Sequence, residues 1–270
     1  MEYGININYF ARTVGIRKAA VMIAQAGFTC LDYTPAVAKD SWTQQMQEAK
    51  AVFDSLGLKV SQTHAPFNRY GSYNGIHQTC LDRCAEATEY LGAQYMVAHG
   101  DEFDFENLTF SPEAALEYNH RYFLPYVERG EKSGYKVAFE TVFEDARSVR
   151  RFTSDADELM DLIKSFHSES AVCCWDFGHA YVSFRKNSPD VIRRFGPLIQ
   201  CTHLHDNTGV DAHQMPLTGD TDWQGVMDAF KAIGYSGVTS VEYSHGAIPE
   251  HMMEDYIKLT YRAAQHLWSL

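Results

Sequence analysis

The stretch THLHDNTGVDAHQMP, residues 202–216, carries His203, His205 and His213 together with Asp206 and Asp211. Imidazole nitrogens and carboxylate oxygens are the donors that hold divalent transition metals, and the same groups serve as general acids and bases. Taken alone the stretch is undecided: an isolated loop histidine is more often a solvated surface residue than a ligand. What the rest of the chain sets beside it decides between a surface loop and the edge of a metal site.

The elements that must position these residues can be read from the pattern. Short apolar runs rich in β-branched and aromatic residues occur at 3–7, 28–33, 59–64, 95–99, 136–141, 171–177, 199–205 and 238–243, and they read as buried parallel strands. Helical patterns separate them. Ser111–Pro112 and Ser188–Pro189 each look like a helix start, with serine at the N-cap and proline at the first helical position. Gly27, Gly57, Gly92, Gly134, Gly196 and Gly234 each follow a helical segment and precede a strand, as helix-closing glycines do. Eight strands alternating with eight helices across 270 residues predict an α/β fold, a (β/α)8 TIM barrel occupying residues 1–270 as a single domain. A doubly wound open sheet is the alternative, but the first strand is followed by NYFARTVG, without the glycine-rich phosphate fingerprint usual there.

In such a barrel the active site forms at the C-terminal ends of the strands. Six consecutive predicted strands deliver a donor to that rim. They supply His64, His99, Glu140, Asp176 with His179 just beyond, His203 with Asp211 and His213 in the following loop, and Glu242. The nitrogen and carboxylate mixture suits zinc, manganese, cobalt or iron. His203 and His205, two apart on a strand, point to the same face, and only one of them need be a ligand.

Composition bounds the partners. The net charge is −12 with histidines neutral, which disfavours a nucleic-acid or anionic-membrane surface. No apolar run approaches a membrane span, and the N-terminus MEYGININYF lacks the features of a signal peptide. The six cysteines read as reduced, mostly buried thiols of a cytoplasmic protein. A zinc site on Cys80 and Cys84 would find only His77 nearby. Oligomeric state stays open, a homo-oligomer included.

The combined pattern AFET, CWDFGHA, THLHDN, DAH and SVEY resembles the xylose isomerase-like barrels, and the resemblance covers the third to eighth strands. These include sugar and sugar-phosphate isomerases and epimerases, inosose dehydratase and endonuclease IV. The resemblance implies one metal held as in the ketose 3-epimerases, by Glu140, Asp176, His203 and Glu242. His203 takes the ligand place over His205 because HLHD matches the family's HLGE and HLKD. The nine zinc ligands of endonuclease IV also have counterparts here, which adds His64, His99, His179, Asp211 and His213 as ligands for more than one ion. The surrounding motifs depart from that enzyme: GD follows His99, TVFED follows Glu140, and the histidine loop closes in PLTGDTDW.

The implied activity is a metal-dependent sugar, sugar-phosphate or polyol isomerase or epimerase. Glu140 and Glu242 would exchange a proton next to a carbonyl through a metal-stabilised enediolate, with His179 on a substrate hydroxyl or a second metal. A dehydratase or lyase sharing that chemistry, an endonuclease IV-type phosphodiesterase and a barrel without turnover are the alternatives. His64, His99, Phe67, Trp175 and His205 are the candidate contacts to a carbohydrate substrate. Trp42, Tyr70, Phe177, Tyr181 and Trp223 are weaker candidates for an apolar wall, and Arg69, Arg147, Arg185 and Lys186 are candidates for meeting a phosphate.

Overall fold

The computed structural model describes residues 1–66, 75–100, 111–144, 151–244 and 248–270. Eight parallel strands close into a barrel in chain order: β1 (Tyr3–Asn6), β2 (Cys30–Asp32), β3 (Lys59–His64), β4 (Tyr95–Ala98), β5 (Lys136–Glu140), β6 (Ala171–Asp176), β7 (Ile199–Leu204) and β8 (Thr239–Val241). Each lies inside a run expected from the sequence. Closure, with β1 paired to both β2 and β8, excludes the open doubly wound sheet.

The helices are α1 (Ile7–Val14), α2 (Ile16–Ala26), α3 (Trp42–Ser55), α4 (Gly75–Leu91), α5 (Pro112–Ser133), α6 (Ala156–Ser165), α7 (Phe177–Phe184), α8 (Ser188–Phe195), α9 (Trp223–Ala232) and α10 (Glu250–Ser269). Ten stand among the described residues where eight were expected, because two connections are broken. Gly15, at φ 80°, separates α1 from α2, and Arg185, at φ 52°, opens a short 3-10 turn between α7 and α8. The expected closing glycines all have positive φ. Ser111 caps α5 as expected, accepting from the Ala114 amide. Ser188 does not cap: it is already inside α8, and its hydroxyl donates to the Arg185 carbonyl at 2.8 Å. The 3-10 turn supplies that carbonyl and has already started the helical path. Among the described residues no helix is long and apolar enough to cross a membrane.

Two apolar layers follow from strands buried on both faces. Inside the barrel, Val97, Ala138, Val172, Cys174 and Cys201 pack together with Tyr95 beside them. Between barrel and helices lies the larger layer, which includes Phe139, Cys173, Trp175, Phe195 and Phe230. Alternation along β6 therefore sends Cys174 and Asp176 inward and Cys173 and Trp175 outward. All six cysteines are buried and unpaired.

Trp175 is thereby removed from the expected substrate wall. Its ring is fully buried and packs on Phe184, Phe195 and Phe230. Replacing it with alanine should cost about 3–5 kcal/mol of stability, the usual loss for a large core aromatic. Denaturant unfolding measures this, and a variant of unchanged midpoint would contradict the packing.

Candidate metal centre

The strand ends place the acidic residues. Asp176 closes β6, and its carboxylate caps α7 by accepting the His179 amide at 2.6 Å. The Asp-x-x-His spacing is thus a helix start, and it returns the His179 ring to the barrel mouth. Its Nδ1 donates to the Thr141 carbonyl at 3.0 Å and lies 3.3 Å from Glu140 Oε1. Asp176 and His203 are register partners on β6 and β7. Glu242 follows β8, its amide donating to the Leu204 carbonyl.

Glu140, Asp176, His203 and Glu242 are buried, at 1%, 0%, 0% and 8% exposure. One donor atom from each lies within 4.8 Å of the others. His203 Nδ1 sits 3.2 Å from Glu140 Oε1 and 3.1 Å from Glu242 Oε2. Neither contact has hydrogen-bond alignment, and both ring nitrogens are buried without a hydrogen-bond partner. Among the described residues no lysine or arginine pairs with these carboxylates. Buried carboxylates and an unsatisfied imidazole nitrogen facing one point are costly unless a cation joins them. The residues therefore fit a divalent metal.

His64 Nε2 and His99 Nε2 approach the other oxygen of Glu140, at 3.1 and 2.9 Å. His64 Nδ1 donates to the Ala65 carbonyl. Burial opposes charge on Glu140, yet His203 and His99 hold it well below the usual carboxylate range. Burial equally opposes charge on His203, but Glu242 and Glu140 raise it well above an ordinary imidazole. His64 rises to about 9 against its own burial, chiefly through its bond to Glu140.

A second group adjoins the first. His179, His205, Asp211 and His213 also bring donor atoms within 4.8 Å of one another. Asp211 and His213 lie in the loop after β7, and Asp206 holds that loop. The Asp206 side chain accepts from the amides of Asn207 and Gly219, the Thr221 hydroxyl and Trp223 Nε1, at 2.8–3.0 Å. Its backbone pairs with Gln214 in both directions. The His205 ring is seated over Gly178, where a Cβ would fall 2.0 Å from its Cε1; the glycine of DFGHA makes the space.

His205, expected among the substrate contacts, is fully buried, with Nε2 2.9–3.0 Å from both Asp176 oxygens. Of the weaker wall candidates, Trp42 and Phe177 are core residues and Trp223 is tied to Asp206. Tyr181 lies under Arg185. Arg185 donates to the Gly209 carbonyl and so braces the loop after β7, while Lys186 is exposed. Phe67, Arg69, Tyr70 and Arg147 lie outside the described residues.

Several site residues escaped the sequence reading. Asp32, at the end of β2, is 1% exposed and lies 3.5 Å from His203 Nε2. Asn6 Nδ2 donates to both Asp32 and Glu242, at 3.1 and 3.2 Å. Burial pushes the Asp32 carboxyl up to about 6, against the pull of His203. Phe143 lies 5.0 Å from the His179 ring, and Tyr9 lies 6.4 Å from that of His213. The acidic end of FTCLDY was the available signal for Asp32; Tyr9 and Phe143 had none.

Solved structures share the architecture. A D-tagatose 3-epimerase-like protein superposes with a TM-score of 0.78 at 20% identity, covering 98% of each chain. D-psicose 3-epimerase, crystallised in the presence of D-fructose, gives a TM-score of 0.79 at 13% identity, covering 99% of each. At these identities the likeness shows the fold. In sequence, the uncharacterized protein y4fM of Sinorhizobium fredii is 24% identical over 264 residues, 82% of this chain and 78% of that protein. The family model described as xylose isomerase-like TIM barrel matches residues 21–263. A match over nearly the whole closed barrel assigns the chain: it belongs to the xylose isomerase-like TIM barrel family.

Proposed function

We propose that the protein is a divalent-metal-dependent isomerase or epimerase of sugars or sugar derivatives. The observation that carries this is the convergence of Glu140, at the end of β5, and Glu242, just after β8, on His203 Nδ1 with Asp176 beside them. The similar folds of a D-tagatose 3-epimerase-like protein, D-psicose 3-epimerase and 3-keto-D-glucoside 4-epimerase support a keto sugar as the substrate class.

Glu140, Asp176, His203 and Glu242 would hold the ion, manganese, zinc, cobalt or iron by donor type. When bound, a divalent ion supplies charge stabilisation to a carbonyl oxygen and to the enediolate formed from it. The chain's own groups move the proton. One glutamate takes the hydrogen next to the carbonyl, and the other returns one to the opposite face of the flattened carbon. The two differ in what holds them: Glu140 is wedged among His64, His99, His179 and His203, whereas Glu242 meets His203 and takes one bond from Asn6, and is the more exposed. His64 and His99 retain some side-chain exposure, 18% and 11%, so a sugar hydroxyl can reach them. A dehydratase begins with the same proton removal and differs only in expelling a hydroxyl from the next carbon.

Protein purified without chelator should carry divalent metal by elemental analysis, and failure to take up manganese, cobalt or zinc would defeat the reading. Glu140→Gln and Glu242→Gln should each lower turnover of a ketose at least about a hundredfold, the usual loss of a general base, with circular dichroism unchanged and metal content measured alongside. Full activity in both variants would exclude the mechanism.

Reaction in deuterated water should place deuterium at the inverted or isomerised carbon. Product without solvent deuterium would indicate direct hydrogen transfer instead, and loss of water from the substrate would identify a dehydratase. Asp32→Ala should weaken metal binding about 10–100-fold, as removing a carboxylate behind a ligand histidine commonly does. Unchanged affinity would show Asp32 to be structural only.

A further inference from the structure

We infer that Asn6 is a positioning residue for Glu242: its side-chain amide holds one oxygen of that glutamate in place to exchange a proton with the substrate carbon. The inference rests on the two-glutamate reading above and concerns how one of the two is kept in a single orientation.

Every hydrogen-bonding atom of the Asn6 side chain is committed. Asn6 closes β1 and caps α1, and its Oδ1 accepts from the Asn8 amide at 3.0 Å. A backbone N–H only donates, so that atom is the oxygen, and Nδ2 is the nitrogen that faces the carboxylates. Nδ2 carries two hydrogens. One serves Glu242 Oε1 at 3.2 Å and the other Asp32 Oδ2 at 3.1 Å. The amide cannot turn over without giving up all three bonds. It sits where the barrel closes: β1 pairs with β2 on one side and with β8 on the other, and Asn6 joins the carboxylates at the ends of those two neighbours.

The two oxygens of Glu242 are thereby sorted. Oε2 faces His203 Nδ1 at 3.1 Å, within the donor set of the metal centre. Oε1, the oxygen on Asn6, is the one left to exchange a proton. Taking the hydrogen breaks the C–H bond, leaves its electron pair on the enediolate and forms O–H at Oε1; returning it reverses both. A carboxylate oxygen has two lone pairs, so one can stay on the amide while the other meets the substrate. Glu140 needs no such arm, because His64 and His99 stand at its Oε2 and His179 and His203 at its Oε1. Misplacing a reacting group by about 1 Å can cost roughly a hundredfold in rate. An amide orients a carboxylate without neutralising it, as a lysine or arginine in the same place would do.

The test separates the two glutamates by the epimer that each deprotonates. Each member of a keto-sugar epimer pair is incubated alone with manganese-loaded enzyme in deuterated water, and loss of hydrogen from the epimerised carbon is followed by proton NMR. Glu140→Gln and Glu242→Gln identify the epimer served by each glutamate. Asn6→Ser keeps an oxygen for the Asn8 amide but cannot reach Glu242. It should slow exchange about 10–100-fold for the epimer that Glu242 deprotonates and leave the other near wild type. Asn6→Asp, which keeps the size and the helix cap but loses both N–H donors, should give the same one-sided loss, and it stands in if Asn6→Ser misfolds by circular dichroism. Crystals of metal-free Asn6→Ser should show the Glu242 carboxylate in more than one orientation with Glu140 unmoved, which reads position without turnover. Equal slowing of both epimers, as general loosening or weaker metal binding would give, overturns the inference, as do unchanged exchange or a Glu242 fixed as in wild type. Wild-type protein that epimerises no keto sugar would defeat the functional reading and the inference with it.

Discussion

Four carboxylates, those of Asp32, Glu140, Asp176 and Glu242, are buried at one end of a closed barrel, and the rest of the site follows from neutralising them. An unpaired buried carboxylate costs several kcal/mol even after relaxation. Among the described residues no lysine or arginine answers it. Imidazoles do: His64, His99, His179 and His203 approach Glu140, and His179 and His205 approach Asp176. Imidazole can carry a proton or donate a lone pair, so the same cage can be balanced by protons or by a metal that displaces them. An arginine cage would offer no such exchange.

Such a cage needs a rigid frame, because donors must meet one point to within a fraction of an ångström. Parallel closure supplies most of it by placing Asp176 and His203 side by side. Local devices supply the remainder. Asn6, register partner of Asp32 across β1 and β2, spans Asp32 and Glu242. The α7 cap fixes Asp176 and returns His179 in one turn. The Asp206 carboxylate accepts from Asn207, Gly219, Thr221 and Trp223 and so holds the loop after β7 against the start of α9.

The barrel was legible because its signals are local. Apolar runs buried on both faces mark parallel strands, and a glycine at positive φ stands before six of the seven strands that follow a helix, His167 taking that place before β6. What blurred was the number of helices, since Gly15 and Arg185 break two connections without disturbing the apolar periodicity. Ser188 carried the composition of a cap but had already entered helical geometry. Trp175 looked like a wall for substrate because aromatic type says nothing about which face of a strand it occupies; its neighbour Cys174 takes the inward face.

Residue type and position at strand ends determined by themselves that Glu140, Asp176, His203 and Glu242 would stand on one rim, because a strand's end is a local property and parallel closure sends every such end the same way. Only the tertiary structure decided the partners. Asp32 and Asn6 enter through a register between strands far from the histidines in sequence. His205 leaves the expected substrate surface because Gly178, on another strand's exit, opens the space that buries its ring. Both depend on distances between segments that no single segment encodes.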